Sequence, residues 1–192
     1  MSIGRAPAFS PWPGGAALAA CVAFMACATW LSWPMPQAAF RSDESPVSWL
    51  SSAQLWALAF VSLQLGSQRL LWPGLAAWLA LAMAMMAFDE QFMWHEQWKH
   101  GCPLGPGWCA HGWLRELPML AVAVVGVLTA AWLHRALPRA ARVWLWAGIA
   151  TGLVALTVRQ LQPELLAAWE EGLEVLAQAL FAGALLGLRK SS

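Results

Sequence analysis

The stretch LLWPGLAAWLALAMAMMAFDEQFMWHEQWKH, residues 70–100, decides the fold class of this chain. Pro73 and Gly74 open a run that contains no charged residue before Asp89. Proline is tolerated in the first turn of a helix, and an apolar helix of about 20 residues crosses the hydrocarbon core of a bilayer. The stretch therefore predicts a transmembrane helix over 74–98 whose far end carries acidic residues and histidines.

The rest of the chain repeats this pattern. Five more apolar segments of similar length are separated by short polar joints, near 14–33, 49–68, 114–133, 142–159 and 164–188. The 192 residues are 60% hydrophobic and 11% charged, and the mean hydropathy is +0.55, which is too apolar for an ordinary soluble domain. Strand-like alternation is absent, which argues against a membrane β-barrel. We expect an all-α polytopic membrane protein, with six transmembrane helices in one bundle and a single domain over 1–192.

The distribution of Lys and Arg predicts the orientation, because cytoplasmic loops are enriched in both. If the N-terminus is inside, seven of the eleven basic residues are cytoplasmic: Arg5, Arg69, Arg135, Arg139, Arg142, Arg189 and Lys190. The remaining four, which are Arg41, Lys99, Arg115 and Arg159, are then outside. We expect both termini in the cytoplasm. The formal net charge of +1 and the lack of a basic stripe predict no nucleic-acid partner.

The first apolar segment allows two interpretations. Arg5, the apolar run and LAAC at 18–21 have the features of a signal sequence with a lipoprotein cleavage site. After Cys21, however, the run continues as VAFMACATWLSW. We expect a retained first helix, with removal of the segment as the alternative.

The loop HGCPLGPGWCAHGW, residues 100–113, lies on the outer side in this orientation. Thiols oxidise there, so we expect a disulfide between Cys102 and Cys109. A metal site with His100 and His111 is the alternative, although six intervening residues do not match zinc-knuckle spacing.

Two acidic groups lie at the same predicted depth. Asp89 on the third helix is roughly 15 Å along the axis from Lys99 at a rise of 1.5 Å per residue. On the sixth helix, WEEGLE places Glu170, Glu171 and Glu174 roughly 10 to 16 Å from the outer end by the same rise. Local helix propensity does not require this match, so it is the strongest sequence indication of one shared site.

Helical periodicity gives each group a face. At about 100° per residue, one stripe of the third helix contains Met86, Asp89, Met93, Glu96 and His100, with Glu90 and His95 on its flanks. The three glutamates of the sixth helix and Gln178 fall within about a third of its circumference. Glycine pairs at 148 and 152 and at 183 and 187 predict close packing of the fifth and sixth helices. The glutamates are therefore expected to point away from the fifth helix and toward the third.

Ionised carboxylates need compensation in this environment, because each costs at least about 2.5 kcal/mol at mid-membrane. Basic residues near the outer end are limited to Lys99, Arg115 and Arg159. The carboxyl groups must therefore be protonated, hydrated or neutralised by bound cations.

A metal site is the favoured hypothesis. Its expected ligands are Asp89, His95, Glu96, Glu170, Glu171 and Glu174, with Glu90, His100 and His111 as additional candidates. Carboxylate-rich sets with imidazoles suit zinc, iron or manganese, and this set is large enough for two ions. Two structural alternatives stay open: Glu96 and His100 as hydrated interfacial residues, and Asp89 in a buried hydrogen-bonded pair with a glutamate.

The two motifs carry a family resemblance. Asp-Glu, four residues and His-Glu at 89, 90, 95 and 96, followed by Glu-Glu-x-x-Glu at 170–174, resemble an uncharacterised family of bacterial multi-pass membrane proteins. This resemblance implies a bacterial inner-membrane protein in which both motifs form one site. A more distant similarity is to the alkaline-ceramidase-like membrane hydrolases, whose His-x-x-x-His on a late helix is missing here.

Three functions are compatible with these features. One is a metal-dependent membrane enzyme that acts on a lipid-like substrate near the outer leaflet. A second is a cation or proton transporter, although the inner halves GLAAWLALAMA and LFAGALLGL show no polar path. A third is a non-catalytic subunit or assembly factor that binds a partner subunit, or its own copies, through its helices. The reaction is not specified by the sequence.

Overall fold

The computed structural model describes residues 7–40, 45–94, 97–98, 117–161 and 163–190. Within them the chain is all-helical apart from two short strands, which confirms the all-α class. The helices are α1 (Trp12–Leu31), α2 (Pro46–Ser67), α3 (Pro73–Phe92), α4 (Leu117–Ala136), α5 (Arg139–Leu161) and α6 (Pro163–Leu186). A 3-10 turn, Pro36–Ala39, lies between α1 and α2.

The third helix is shorter than the sequence predicts. It ends at Phe92 instead of 98, because Met93 adopts the left-handed conformation with φ 49° and ψ 44°. The Gln97 side chain donates from Nε2 to the Phe92 carbonyl at 2.6 Å, which satisfies one of the terminal acceptors of the helix. The predicted stripe of Asp89, Glu96 and His100 requires one uninterrupted helix, and the left-handed Met93 interrupts that helix.

Prolines mark the beginnings of the helices. Pro46, Pro73 and Pro163 are the first residues of α2, α3 and α6, and Pro138 directly precedes α5. This position suits proline because the first N–H groups of a helix have no intrahelical acceptor. At α2, Ser45 completes the start by accepting the Ser48 N–H at 3.1 Å.

α6 is the central helix of the bundle. It packs most extensively on α5 and also along α1 and α2, while α2 and α3 form an antiparallel hairpin. α6 and α1 approach closely: a Cβ at Gly14 would lie 2.7 Å from the Gly183 Cα. The expected packing of the fifth and sixth helices is also present, since a Cβ at Gly148 would lie 2.9 Å from the Ala177 carbonyl oxygen.

The two ends of the described chain meet. Strand β1 (Ala8–Phe9) pairs antiparallel with β2 (Leu188–Arg189), and the Ser10 N–H donates to the Gly187 carbonyl at 2.8 Å. The start of α1 and the end of α6 are therefore fixed at the same end of the bundle.

That end holds the larger apolar core. Five leucines from four helices are each 1% exposed or less and belong to one cluster: Leu75, Leu79, Leu133, Leu145 and Leu185. A smaller cluster around Cys21, Val47 and Val175 lies toward the other end. The transition between the two clusters is where polar residues enter the interior.

The apolar surface agrees with membrane embedding. Among the described residues, four helices are long and apolar enough to cross a membrane, namely Trp12–Leu31, Pro46–Ser67, Pro73–Phe92 and Arg139–Val158, and Leu120–Ala136 is a shorter apolar helix. Large side chains face outward, including Leu31 at 86% and Val127 at 69% exposure. A surface of this kind is compatible with a lipid bilayer.

Candidate functional site

α2 carries a buried serine stripe that the sequence analysis missed. Ser45, Ser48, Ser51 and Ser52 are each 5% exposed or less, and they occupy the beginning of the helix. Their spacing of three and four residues places them on one side of α2. That spacing of the serines is the signal in the sequence that indicates the stripe.

Hydrogen bonds from this stripe connect α2 with both acidic helices. The Ser52 hydroxyl donates to the Ala87 carbonyl of α3 at 3.3 Å. On α6, Gln178 donates from Nε2 to the Ser51 hydroxyl oxygen at 2.7 Å. Because Ser51 and Ser52 are adjacent in sequence, Ala87 and Gln178 lie at nearly the same height in the bundle.

The acidic groups can be placed from these two contacts. Glu90 is three residues beyond Ala87, and Glu174 is four residues before Gln178, which corresponds to about 4.5 and 6 Å toward the same end at 1.5 Å per residue. Glu171 lies roughly another 4.5 Å farther along α6. We call this end of the molecule the acidic end. The carboxylates of α3 and α6 lie at the level of the first turns of α2.

Helical geometry relates the two acidic residues of α3 to the packed face of that helix. The packed positions Ala76, Leu79, Met83 and Ala87 continue at Glu90, at intervals of three or four residues. Glu90 therefore extends the stripe that faces α2, whereas Asp89 projects about 100° away. The periodicity of the sequence predicts Asp89 within the acidic stripe of this helix and Glu90 on the flank of that stripe.

On α6, two of the three glutamates face the groove. Glu171 and Glu174 lie within about 40° of Gln178 around the helix, whereas Glu170 is roughly 80° away. Gly183, which packs between Gly14 and Trp144, is about 140° from Gln178. Glu174 thus points away from the α1 interface, whereas Glu171 lies about 40° from Val175, whose carbonyl contacts Cys21 of α1.

α3 and α6 form the two walls of a groove with α2 as its floor. Ser51 and Ser52 project about 100° apart, and Ser48 projects between them. With neighbouring helix axes about 9 Å apart, this angle places the axes of α3 and α6 roughly 14 Å from each other. Glu90 on one wall and Glu171 and Glu174 on the other therefore approach the groove from opposite sides, above Ser48.

The family comparison covers both walls and the floor. A family model described as a domain of unknown function, DUF8692, matches residues 4–188. The chain belongs to the DUF8692 family. No curated protein and no solved structure matches it. Membership of DUF8692 agrees with the expectation of an uncharacterised family, whereas the similarity to alkaline-ceramidase-like hydrolases stays an expectation.

Several expected site residues of this DUF8692 chain lie outside the described residues. They are His95, Glu96, His100 and His111, together with the predicted disulfide partners Cys102 and Cys109. Asp89, Glu90, Glu170, Glu171 and Glu174 are half-buried, and each has an interaction partner. No three His, Cys, Asp or Glu of the described ranges are grouped closely enough to hold a metal ion. The predicted set of six ligands therefore stays a prediction.

The polar interior extends from the groove toward α1. The buried Cys21 thiol lies 3.8 Å from the Val175 carbonyl, and the Gln54 side chain of α2 interacts with it. Within the part of the chain that the structure describes, the side-chain oxygens of Gln54 and Gln178 are buried without a hydrogen-bond partner. A buried carbonyl without a donor costs about 1–3 kcal/mol, so these two oxygens are suited to water or to another donor.

The first turn of α2 also influences the charge of the groove. Its N–H groups give the N-terminus of a helix a partial positive charge, which stabilises nearby anions by about 0.3–1 kcal/mol at exposed positions and up to about 2 kcal/mol when partly buried. This compensation is smaller than the cost of two or three ionised carboxylates in hydrocarbon. The rest of the compensation comes from the interaction partners of these carboxylates, from protonation or from a bound ligand.

Proposed function

We propose that this protein is an integral protein of the bacterial inner membrane with six transmembrane helices and both termini in the cytoplasm. The acidic end then faces outward. Pairing of β1 with β2 supports an even number of crossings, because it holds the two chain ends together. Four basic residues of α4, α5 and the chain end, Arg135, Arg139, Arg189 and Lys190, are exposed at the opposite end, as the positive-inside rule requires.

The groove between α3 and α6 is the proposed metal site. One observation carries this proposal. Ser51 accepts a hydrogen bond from Gln178 of α6 and Ser52 donates one to Ala87 of α3, which supports a common height for the two acidic motifs. The proposed ligands are Asp89, His95, Glu96, Glu170, Glu171 and Glu174, and the side-chain directions add Glu90 to them. Carboxylates with imidazole suit Zn, Fe or Mn.

The described positive charges lie away from the groove. Every Lys or Arg side chain that the structure describes belongs to α4, α5, the α2–α3 turn or the chain end near β2, far from the groove. We infer that a bound cation contributes to neutralising the carboxylates, in addition to the interaction partners that they already have. A divalent ion neutralises two carboxylates at once, which makes it the simpler solution for facing groups.

A membrane enzyme with a lipid-like substrate is the activity that the surroundings favour. Phe88 and Phe92, which flank the two acids of α3, are stacked with ring centroids 5.8 Å apart and are 46% and 55% exposed. Trp56 of α2 packs edge-on against Phe88 at 5.4 Å. Acyl chains can lie on this aromatic surface beside Asp89, whereas Glu90, on the groove side, projects roughly 160° from both rings around α3. A metal ion there would polarise a carbonyl or activate a water molecule.

Cation or proton transport is less well supported. It requires a polar route through the opposite half of the molecule, where Leu75, Leu79, Leu133, Leu145 and Leu185 fill the interior. Binding at a site that opens to one side is therefore the function that we propose.

Metal analysis of the purified full-length protein tests the proposal. We expect about one or two equivalents of Zn, Fe or Mn by elemental analysis, and loss of this metal from the double variant Asp89→Asn/Glu174→Gln. Comparing Asp89→Asn with Glu90→Gln identifies the α3 carboxylate that contributes more. Asp43→Asn, an acid of the loop before α2 that is not in the ligand set, is the matched control and should keep its metal.

Two outcomes of the metal analysis would contradict the proposal. Metal-free wild-type protein after growth and purification with added Zn, Fe and Mn would exclude the metal site. Wild-type metal content in the folded double variant would exclude these ligands.

A further inference from the structure

The end of the molecule opposite the groove carries an uncompensated positive surface. Its members, which we call the basic collar, are Arg69, Arg135, Arg139, Arg142, Arg189 and Lys190. All of them are exposed except Arg142, which is half-buried. They surround one part of the apolar core, because Leu71, Leu137, Ala141 and Leu188, each adjacent or nearly adjacent to a collar residue, belong to the same buried cluster.

Acidic residues are segregated from this collar along the entire sequence. All ten Asp and Glu residues occur within 43–44, 89–96, 116 and 164–174. None occurs in 45–88, 117–163 or 175–192, which are the segments that supply the collar. The segments that supply the collar therefore contribute no acidic residue to it, and its six positive charges form a surface that attracts anions.

The turn between α4 and α5 concentrates this charge. Arg135, Arg139 and Arg142 occur within eight residues, and the first turn of α5 has no acidic residue. Arg142 is held in place by donating from Nε to the Leu137 carbonyl at 2.8 Å, which leaves its terminal NH2 groups for another acceptor. Repulsion among the three neighbouring guanidinium groups is relieved by an anion that they share.

Aromatic residues adjoin the same turn and give it an amphipathic character. Trp132 and Trp146 are 43% and 48% exposed, and Trp132 packs on Trp72 of α3 at 5.5 Å. The Trp146 indole N–H donates to His134 Nδ1 at 3.0 Å, so the neutral imidazole carries its proton on Nε2 and can donate a hydrogen bond there. Indoles beside arginines are typical of residues at the level of lipid headgroups.

We propose that the α4–α5 turn is a binding site for the phosphate headgroup of an anionic phospholipid, with Arg135, Arg139 and Arg142 as its phosphate ligands. The neighbouring tryptophans contact the glycerol region and the upper acyl chain. A soluble anion would not use these apolar rings, and a nucleic acid would need a longer basic stripe than one turn offers. The inference rests on the proposed membrane insertion and is independent of the metal site.

Lipid titration of the purified full-length protein tests this site. After delipidation in mild detergent, native mass spectrometry follows the binding of phosphatidylglycerol and of phosphatidylcholine. We expect phosphatidylglycerol to bind preferentially and Arg135→Gln/Arg139→Gln to weaken it roughly fivefold per removed charge, or about 25-fold for the pair. Both residues are exposed, so this variant should fold, and Arg135→Lys/Arg139→Lys, which keeps the charge, should retain most of the affinity.

Three outcomes would overturn the proposal. They are equal binding of the two lipids, an equal affinity of the wild type and the Gln variant for phosphatidylglycerol, and displacement of the bound lipid by millimolar inorganic phosphate, which would indicate a site for a free anion. Metal content measured on the same samples separates this result from the proposed groove, because removal of the two arginines should leave it unchanged. Recovery of the protein in the soluble fraction without detergent would instead contradict the proposed membrane insertion.

Discussion

At the residue scale, Gln178 connects the acidic helix α6 with the serine stripe of α2. Its Nε2 is paired with Ser51 at 2.7 Å, and its Oε1 is buried without a described partner. Glutamine in an apolar helix is costly unless its amide is bonded, so the Ser51 contact explains how this residue is accommodated. It also positions Glu174, one turn away, relative to α2.

The strength of that contact can be measured by a double-mutant cycle. Ser51→Ala, Gln178→Leu and the combination of both should give a coupling energy of about 0.6 kcal/mol, and at most roughly 1.7 kcal/mol, as for other hydrogen bonds between membrane helices. Reversible unfolding in detergent mixtures supplies the free energies. Additive effects of the two single substitutions would mean that the contact contributes nothing to stability.

At the scale of the elements, the sequence predicts where the helices lie along the chain, but not which helices pack against each other. Apolar length and the prolines at 73 and 163 predict where helices begin, since both effects act within a few residues, whereas α2 begins at Pro46, before its predicted start at 49. The end of α3 was missed because Met93 adopts a left-handed conformation that usually belongs to glycine. Ser48 and the placement of α2 beneath Glu90 and Glu174 depend on contacts between distant segments, which periodicity alone does not report.

Glycine packing gives the element scale its own prediction. Gly148→Ala should destabilise the protein by about 1–3 kcal/mol, as overpacking does in other interiors, because its Cβ would meet the Ala177 carbonyl oxygen of α6 at 2.9 Å. Gly126→Ala on α4 is the matched control, since a Cβ there meets nothing within 4 Å, and it should be neutral or slightly stabilising. The unfolding free energies of the two variants are compared in the same detergent. Equal values would contradict close α5–α6 packing.

At the scale of the whole molecule, the segregation of charge and the pairing of the chain ends predict one topology. A cysteine at Ser192 should react with a membrane-impermeant maleimide only after the inner membrane is permeabilised, whereas a cysteine at Glu44 should react in intact spheroplasts. Labelling of the Ser192 position without permeabilisation would contradict the proposed orientation. The expected difference follows from the position of β1 and β2 at the end that carries the basic collar.

The contact between α1 and α6 has a consequence for how the protein is made. α1 packs chiefly on α6, through Gly14 and Gly183, although four other helices separate the two in the sequence. During synthesis α1 therefore remains in the bilayer, or next to an insertase, without its main packing partner until α6 has been translated. A nascent chain arrested before Pro163 should leave α1 accessible to crosslinking with the insertion machinery, and its release should coincide with the emergence of α6.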